Sequence, residues 1–115
     1  MKVKRADVWI ANLEPSNASE PGKIRPVVVI QSDLINEANH SSGVICPLSS
    51  QQKQKEGKLR VLITANPRNG LEKRSYVLTD QIRAIDLKRL TEKIGVIDEE
   101  DFSKIISGVK VVLDI

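Results

Sequence analysis

Arg25-Pro26-Val27-Val28-Val29-Ile30 is the stretch on which the fold turns. Four consecutive β-branched apolar residues predict a short strand buried on both faces. Pro26 suits the first residue of such a strand, and it biases Arg25 towards an extended backbone. A permanently charged guanidinium therefore stands where a polar loop, residues 16–24, feeds the centre of the fold. The strand would fix its Cα while the loop leaves its head open. That placement suits a catalytic or phosphate-binding group, and equally a strand-edge arginine in a surface ion pair.

Working outward, residues 7–13 (Asp-Val-Trp-Ile-Ala-Asn-Leu) carry apolar side chains on both parities and predict a largely buried first strand, closed by Glu14-Pro15-Ser16-Asn17. The loop through Ser19-Glu20-Pro21-Gly22-Lys23 is long for a hairpin. The second strand covers about 25–31, residues 36–43 form a polar turn, and 44–48 a third strand, with Pro47 placing it at a sheet edge or a bulge. Residues 51–58 make a polar, mostly basic connection. Two further strands, 59–63 and 75–79, flank the turn-rich Asn66-Pro67-Arg68-Asn69-Gly70, and the second is expected to run on through 80–85. Asp86 reads as the N-cap of a helical turn over 87–90, and 93–97 as a last strand.

A helix closes the chain. Asp98 is its N-cap, Asp101 stands at N3, and Ile97 and Phe102 occupy staple positions. Phe102, Ile105, Ile106, Val109, Val112 and Leu113 recur at helical spacing and make one apolar face, within which Gly108 marks a close approach. These elements add up to a mainly β, α+β fold: one domain over 1–115, a small bent antiparallel sheet or barrel covered by a C-terminal helix.

Composition narrows the chemistry. Hydrophobic residues make up 40% and charged residues 29%, as in globular chains, and no apolar run approaches the ~20 residues of a membrane helix. The N-terminus lacks the apolar core of a signal peptide, and the single cysteine, Cys46, can make no internal disulfide, so a reducing, cytoplasmic setting is expected. One Cys and one His cannot build a protein-only zinc site. The net charge of +3, from 18 basic and 15 acidic residues, singles out no partner by itself.

Four strings occur in order along nearly the whole chain: residues 7–13, residues 19–30, Pro47-Leu48-Ser49-Ser50, and residues 78–86 (Leu-Thr-Asp-Gln-Ile-Arg-Ala-Ile-Asp). Together they resemble the MazF/PemK/Kid family of toxin endoribonucleases. The resemblance implies an SH3-like β-barrel with a C-terminal helix, a homodimer that cuts single-stranded RNA at short sequences, and neutralisation by an antitoxin with an acidic, disordered tail. Operator DNA is expected to be bound only together with that antitoxin, with no membrane partner and no cofactor. Arg25 matches the arginine that opens the family's buried strand, and Ser49 the Thr or Ser after its Pro-Leu pair. Asp80 matches an aspartate that one branch uses in catalysis beside an arginine two residues earlier, where this chain has Leu78. Glu20, Lys23, Ser50, Gln51, Lys53 and Gln81 are the implied substrate contacts.

The implied reaction is attack of a ribose 2′-hydroxyl on the adjacent phosphate, leaving a 2′,3′-cyclic phosphate and a 5′-hydroxyl, without a metal. It needs a base, an acid and donors for charge growing on the phosphate oxygens. The Arg25 fork and the Ser49 hydroxyl suit the last task. Asp80, Glu20 and His40 are the alternatives for the base, which stays unassigned. Trp9 either stacks on a base or packs in the core, and Lys53, Lys55 and Lys58 either steer RNA or form a solvated loop. Two other readings stay open: a non-catalytic toxin that binds a protein, as the gyrase poison CcdB does on a related fold, and an inactive barrel that binds nucleic acid.

Overall fold

The computed structural model describes residues 2–14, 23–51, 55 and 57–115. Strand β1 (Asp7–Asn12) lies between β2 (Ile24–Val29) and β7 (Leu90–Val96), antiparallel to both. Beyond β2 come β3 (Ser42–Ser49), β5 (Ser75–Leu78) and β4 (Arg60–Ile63), and β6 (Arg83–Asp86) pairs with the first half of β3. The path β4-β5-β3-β2-β1-β7 ends in β4 and β7, which are not paired to each other, so the sheet curls like a barrel without closing through hydrogen bonds.

The three valines of β2 explain why the sheet has two apolar faces. Val27, Val28 and Val29 are all fully buried. Val28 faces a core shared with Val8, Cys46, Ile63, Val77 and the helix residues Ile105 and Val109. Val27 and Val29 face a second core with Trp9, Ala11, Leu13 and Ile45. Each fully buried side chain of this kind contributes about 1.5–3 kcal/mol relative to exposure, an upper value because unfolded chains already bury some surface.

Strand β3 is interior, so Pro47 is not at a sheet edge. Residues 42–45 pair with β6, and Leu48 and Ser49 pair with β5. Cys46 and Pro47 span the gap between those two ladders while their other side stays paired to β2. A residue without an N–H donor fits that changeover. The expected run of β5 into residues 80–85 is also corrected. Thr79–Gln81 is a 3-10 turn, and the Thr79 N–H and hydroxyl both donate to the Leu59 carbonyl, at 3.2 Å each. That anchor ends β5 and releases the chain to form β6. A short helix, α1 (Asp33–Asn36), capped by the Ser32 hydroxyl, stands at the entrance to the expected polar turn.

Helix α2 (Glu99–Leu113) starts as the sequence predicts: the Asp98 carboxylate accepts from the Asp101 N–H at 2.9 Å. Ile105, Gly108 and Val109 are buried, but Leu113 is half exposed, so the apolar face ends a turn earlier than expected. A Cβ on Gly108 would collide with the Lys58 carbonyl oxygen, which explains the glycine: it seats the helix on the chain entering β4.

Candidate active site

The β2–β3 register brings the two main candidates to one end of the sheet. Val27 pairs with Pro47, and two residues further along each strand stand Arg25 and Ser49. The Arg25 guanidinium donates to the Leu48 carbonyl at 3.3 Å. Partial burial lowers its pKa from the ordinary arginine value, because leaving water disfavours the charged form. Ser49 is buried, and its Oγ accepts from the Gln51 N–H at 3.3 Å, which leaves the hydroxyl proton to be donated elsewhere.

Both residues line a cavity of about 540 Å³ together with Lys23, Ser50 and Gln51. Five of the residues singled out from sequence therefore meet in one depression. Its floor is the row Pro26–Ile10–Glu92, cross-strand neighbours on β2, β1 and β7. Its far wall is the segment from Gly70 to Lys73, with Ser75 beside it.

That far wall is tightly built. Asn69 is buried, and its side chain accepts from the N–H groups of Asn66 and Leu71 and donates to the Thr64 carbonyl, at 3.0–3.1 Å. Gly70 has φ +69°, and a Cβ there would strike the Ile94 carbonyl. A Cβ on Gly95 would strike the backbone of Asn69 in return. The Val96 N–H donates to the Arg68 carbonyl at 2.9 Å. Two glycines thus let the 66–70 turn lie directly on β7, and the chain that leaves it brings Glu72 and Lys73 into the cavity lining. Sequence reasoning missed Glu72, Lys73 and Glu92. The available signal was Gly95, a mark of close backbone approach in an otherwise strand-forming context, with Gly70 closing the turn-rich 66–70 segment that could approach it.

Other candidates lie elsewhere. Asp80 and Gln81 sit on the 79–81 turn and do not line the cavity. Asp80 is ion-paired and hydrogen-bonded to Arg60, the cross-strand partner of Leu78. The arginine that Leu78 does not supply therefore reaches Asp80 from the neighbouring strand. Lys58 does not line this cavity: it lines a smaller groove of about 280 Å³ against α2, with Lys104 and Gly108. His40 is exposed in the turn before β3, outside the cavity lining. Glu20 and Lys53 lie outside the described residues.

Trp9 is a core residue. It is buried, and its indole N–H donates to the Asp7 carboxylate at 3.1 Å, which also accepts from the Lys4 N–H at 2.9 Å and pairs with Lys93 at 3.2 Å. Cys46 is fully buried, and its thiol pKa is pushed up to about 12, mainly by burial and then by the Asp80 charge, so it is inert as a nucleophile. Among the described residues, no three His, Cys, Asp or Glu side chains gather in a way that could hold a metal ion. No helix among them is long and apolar enough to cross a membrane.

Comparison with known proteins bears on the family and the fold. Residues 4–113 match the family model described as PemK-like, MazF-like toxin of type II toxin-antitoxin system. The chain is 38% identical over 113 residues to Endoribonuclease EndoA of Bacillus subtilis (strain 168), covering 98% of this chain and 96% of that protein. The solved MazF of Deinococcus radiodurans superposes with a TM-score of 0.85 at 19% identity, covering 100% of this chain and 99% of that one. A mycobacterial endoribonuclease solved in complex with its cognate antitoxin superposes with a TM-score of 0.76 at 16% identity, covering 98% and 96%. At such identities the two structures attest the fold, and the match along the sequence attests the family: this chain belongs to the PemK-like, MazF-like toxins of type II toxin–antitoxin systems.

Proposed function

We propose that this toxin endoribonuclease cuts single-stranded RNA in the cavity between Arg25 and Ser49. The observation that carries the reading is their convergence, a partly buried guanidinium and a buried hydroxyl at one end of the β2–β3 pair. The full-length likeness to an endoribonuclease favours an enzyme over the CcdB-type, protein-binding alternative. In the proposed step the ribose 2′-hydroxyl loses its proton to a base and its oxygen forms a bond to phosphorus, while the bond from phosphorus to the 5′-oxygen breaks and that oxygen takes up a proton. The products are a 2′,3′-cyclic phosphate and a 5′-hydroxyl. Arg25 and Ser49 donate to the non-bridging oxygens as negative charge grows there, a role in which fixed donors act without reorganising. No metal takes part in this scheme.

A cytoplasmic homodimer with RNA lying across both copies is the assembly we assign. Its inhibitor is a cognate antitoxin whose acidic segment orders as it enters the same cavity, attracted by Lys23, Arg25 and Lys73. Operator DNA is bound only by that complex. The test is to incubate purified protein with a long RNA in EDTA and map the cut ends. Cleavage with 5′-hydroxyl ends is expected, together with resistance of a substrate carrying 2′-deoxyribose at the cut position. Activity that requires Mg²⁺, or cleavage of the deoxy substrate, overturns the mechanism.

A further inference from the structure

The cavity holds two carboxylates that the cutting step does not use. Glu92 ends the row that runs from Pro26 through Ile10 across three strands. Glu72 is carried by the wall that Gly70, Gly95 and Asn69 clamp onto β7. The same cavity is lined by the apolar side chains of Ile10, Pro26 and Ile94, and by Ile24, which is 68% exposed. A flat ring fits such a surface. The sugar–phosphate backbone is matched instead by Arg25 and Lys23 of the same cavity, because carboxylates repel phosphate and an apolar floor cannot solvate it.

An ionised carboxylate only accepts hydrogen bonds, so its partner must be a donor. Single-stranded RNA is read on the Watson–Crick edges of its unstacked bases. There guanine, cytosine and adenine present amino groups, whereas uracil presents one N–H between two carbonyl oxygens that repel a carboxylate. The preference of Glu for the cytosine amino group in DNA grooves is the same chemistry. We infer that Glu72 and Glu92 are specificity-determining residues that seat an amino-bearing base next to the cut and reject uracil there. This inference rests on the reading of the cavity as the site of RNA cleavage.

The test is to digest an RNA library with the wild type, Glu92→Gln, Glu72→Gln and the double variant, and to align the cut sites. Both positions are exposed, so the variants should fold, which circular dichroism checks. The wild type is expected to exclude uracil at one position of its motif. A glutamine amide can donate to a uracil carbonyl, so at least one single variant should raise cutting at the uracil-bearing site by about tenfold or more, leaving the other positions unchanged. A wild-type motif that tolerates uracil throughout, or three variants with the wild-type pattern, overturns the inference. So does a folded single variant that cuts nothing, since its carboxylate would then belong to the chemistry. A wild type that cuts no RNA refutes the reading beneath it, and is distinguished from those outcomes by the wild-type lane alone.

Discussion

Two arginines stand near the ends of strand pairs in this sheet, and their surroundings differ. Arg25 opens β2 inside a concave, partly apolar depression, donates to a backbone carbonyl and has its pKa lowered by burial. Arg60 opens β4 outside that cavity and meets the Asp80 carboxylate, the two side chains 27% and 32% exposed. The residue types are as suggestive at one place as at the other. The difference lies in the partner: Arg25 stands in a hollow beside Ser49 where a bound charge can meet both donors, while Arg60 is already paired with a carboxylate, and such a partly exposed pair contributes little.

The sharpest way to break that contrast is to remove the donors of the hollow. Arg25→Ala and Ser49→Ala should each cut the cleavage rate by about 10²–10³ while the protein stays folded, read from initial rates on one RNA and from circular dichroism. A rate near the wild type in either variant removes that residue from the mechanism. A medium effect should follow from loosening the far wall. Gly70→Ala forces a side chain at positive φ against the Ile94 carbonyl and should lower stability by about 1–3 kcal/mol in a urea titration. An unchanged midpoint would mean the turn is not clamped to β7. The smallest effect belongs to the exposed pair. Asp80→Asn should leave cleavage within about threefold and stability within about 1 kcal/mol of the wild type. A loss as large as that of Arg25→Ala would extend the active site to the 79–81 turn and end the distinction between the two regions.

Which parts of this were legible in the sequence follows from how local the signals are. The valine run behind Pro26 announced both its strand and its burial, since four adjacent side chains decide it. The Asp98 cap and the Asp86 cap were equally readable, each depending on a carboxylate two or three residues from the N–H it receives. The break between β5 and β6 was not. Apolar residues continue on both sides of Thr79-Asp80-Gln81, and the bonds that turn the chain are donated by Thr79 to the Leu59 carbonyl, twenty residues away. Helix α1 was missed although Ser32-Asp33 carries a capping signature, because four residues leave too short a periodicity to detect. The cavity divides in the same way. Arg25 and Ser49 stand on two neighbouring strands and Ser50 and Gln51 follow directly, whereas Glu92 and Glu72 enter only through the pairing of the first strand with the last and a turn folded over it.

The alternation of β1 has an optical consequence. Ile10 faces the cavity, while Trp9, the only tryptophan, points to the opposite side of the sheet into the second core. Its indole is held by Asp7, which Lys93 ties to the last strand. Intrinsic emission therefore monitors the seam between the first and last strands from within and is shielded by the sheet from whatever occupies the cavity. Titration with RNA should leave the emission maximum in place, whereas denaturant should shift it to the red as the seam opens, so the protein carries a gauge of its own folding that its substrate does not disturb.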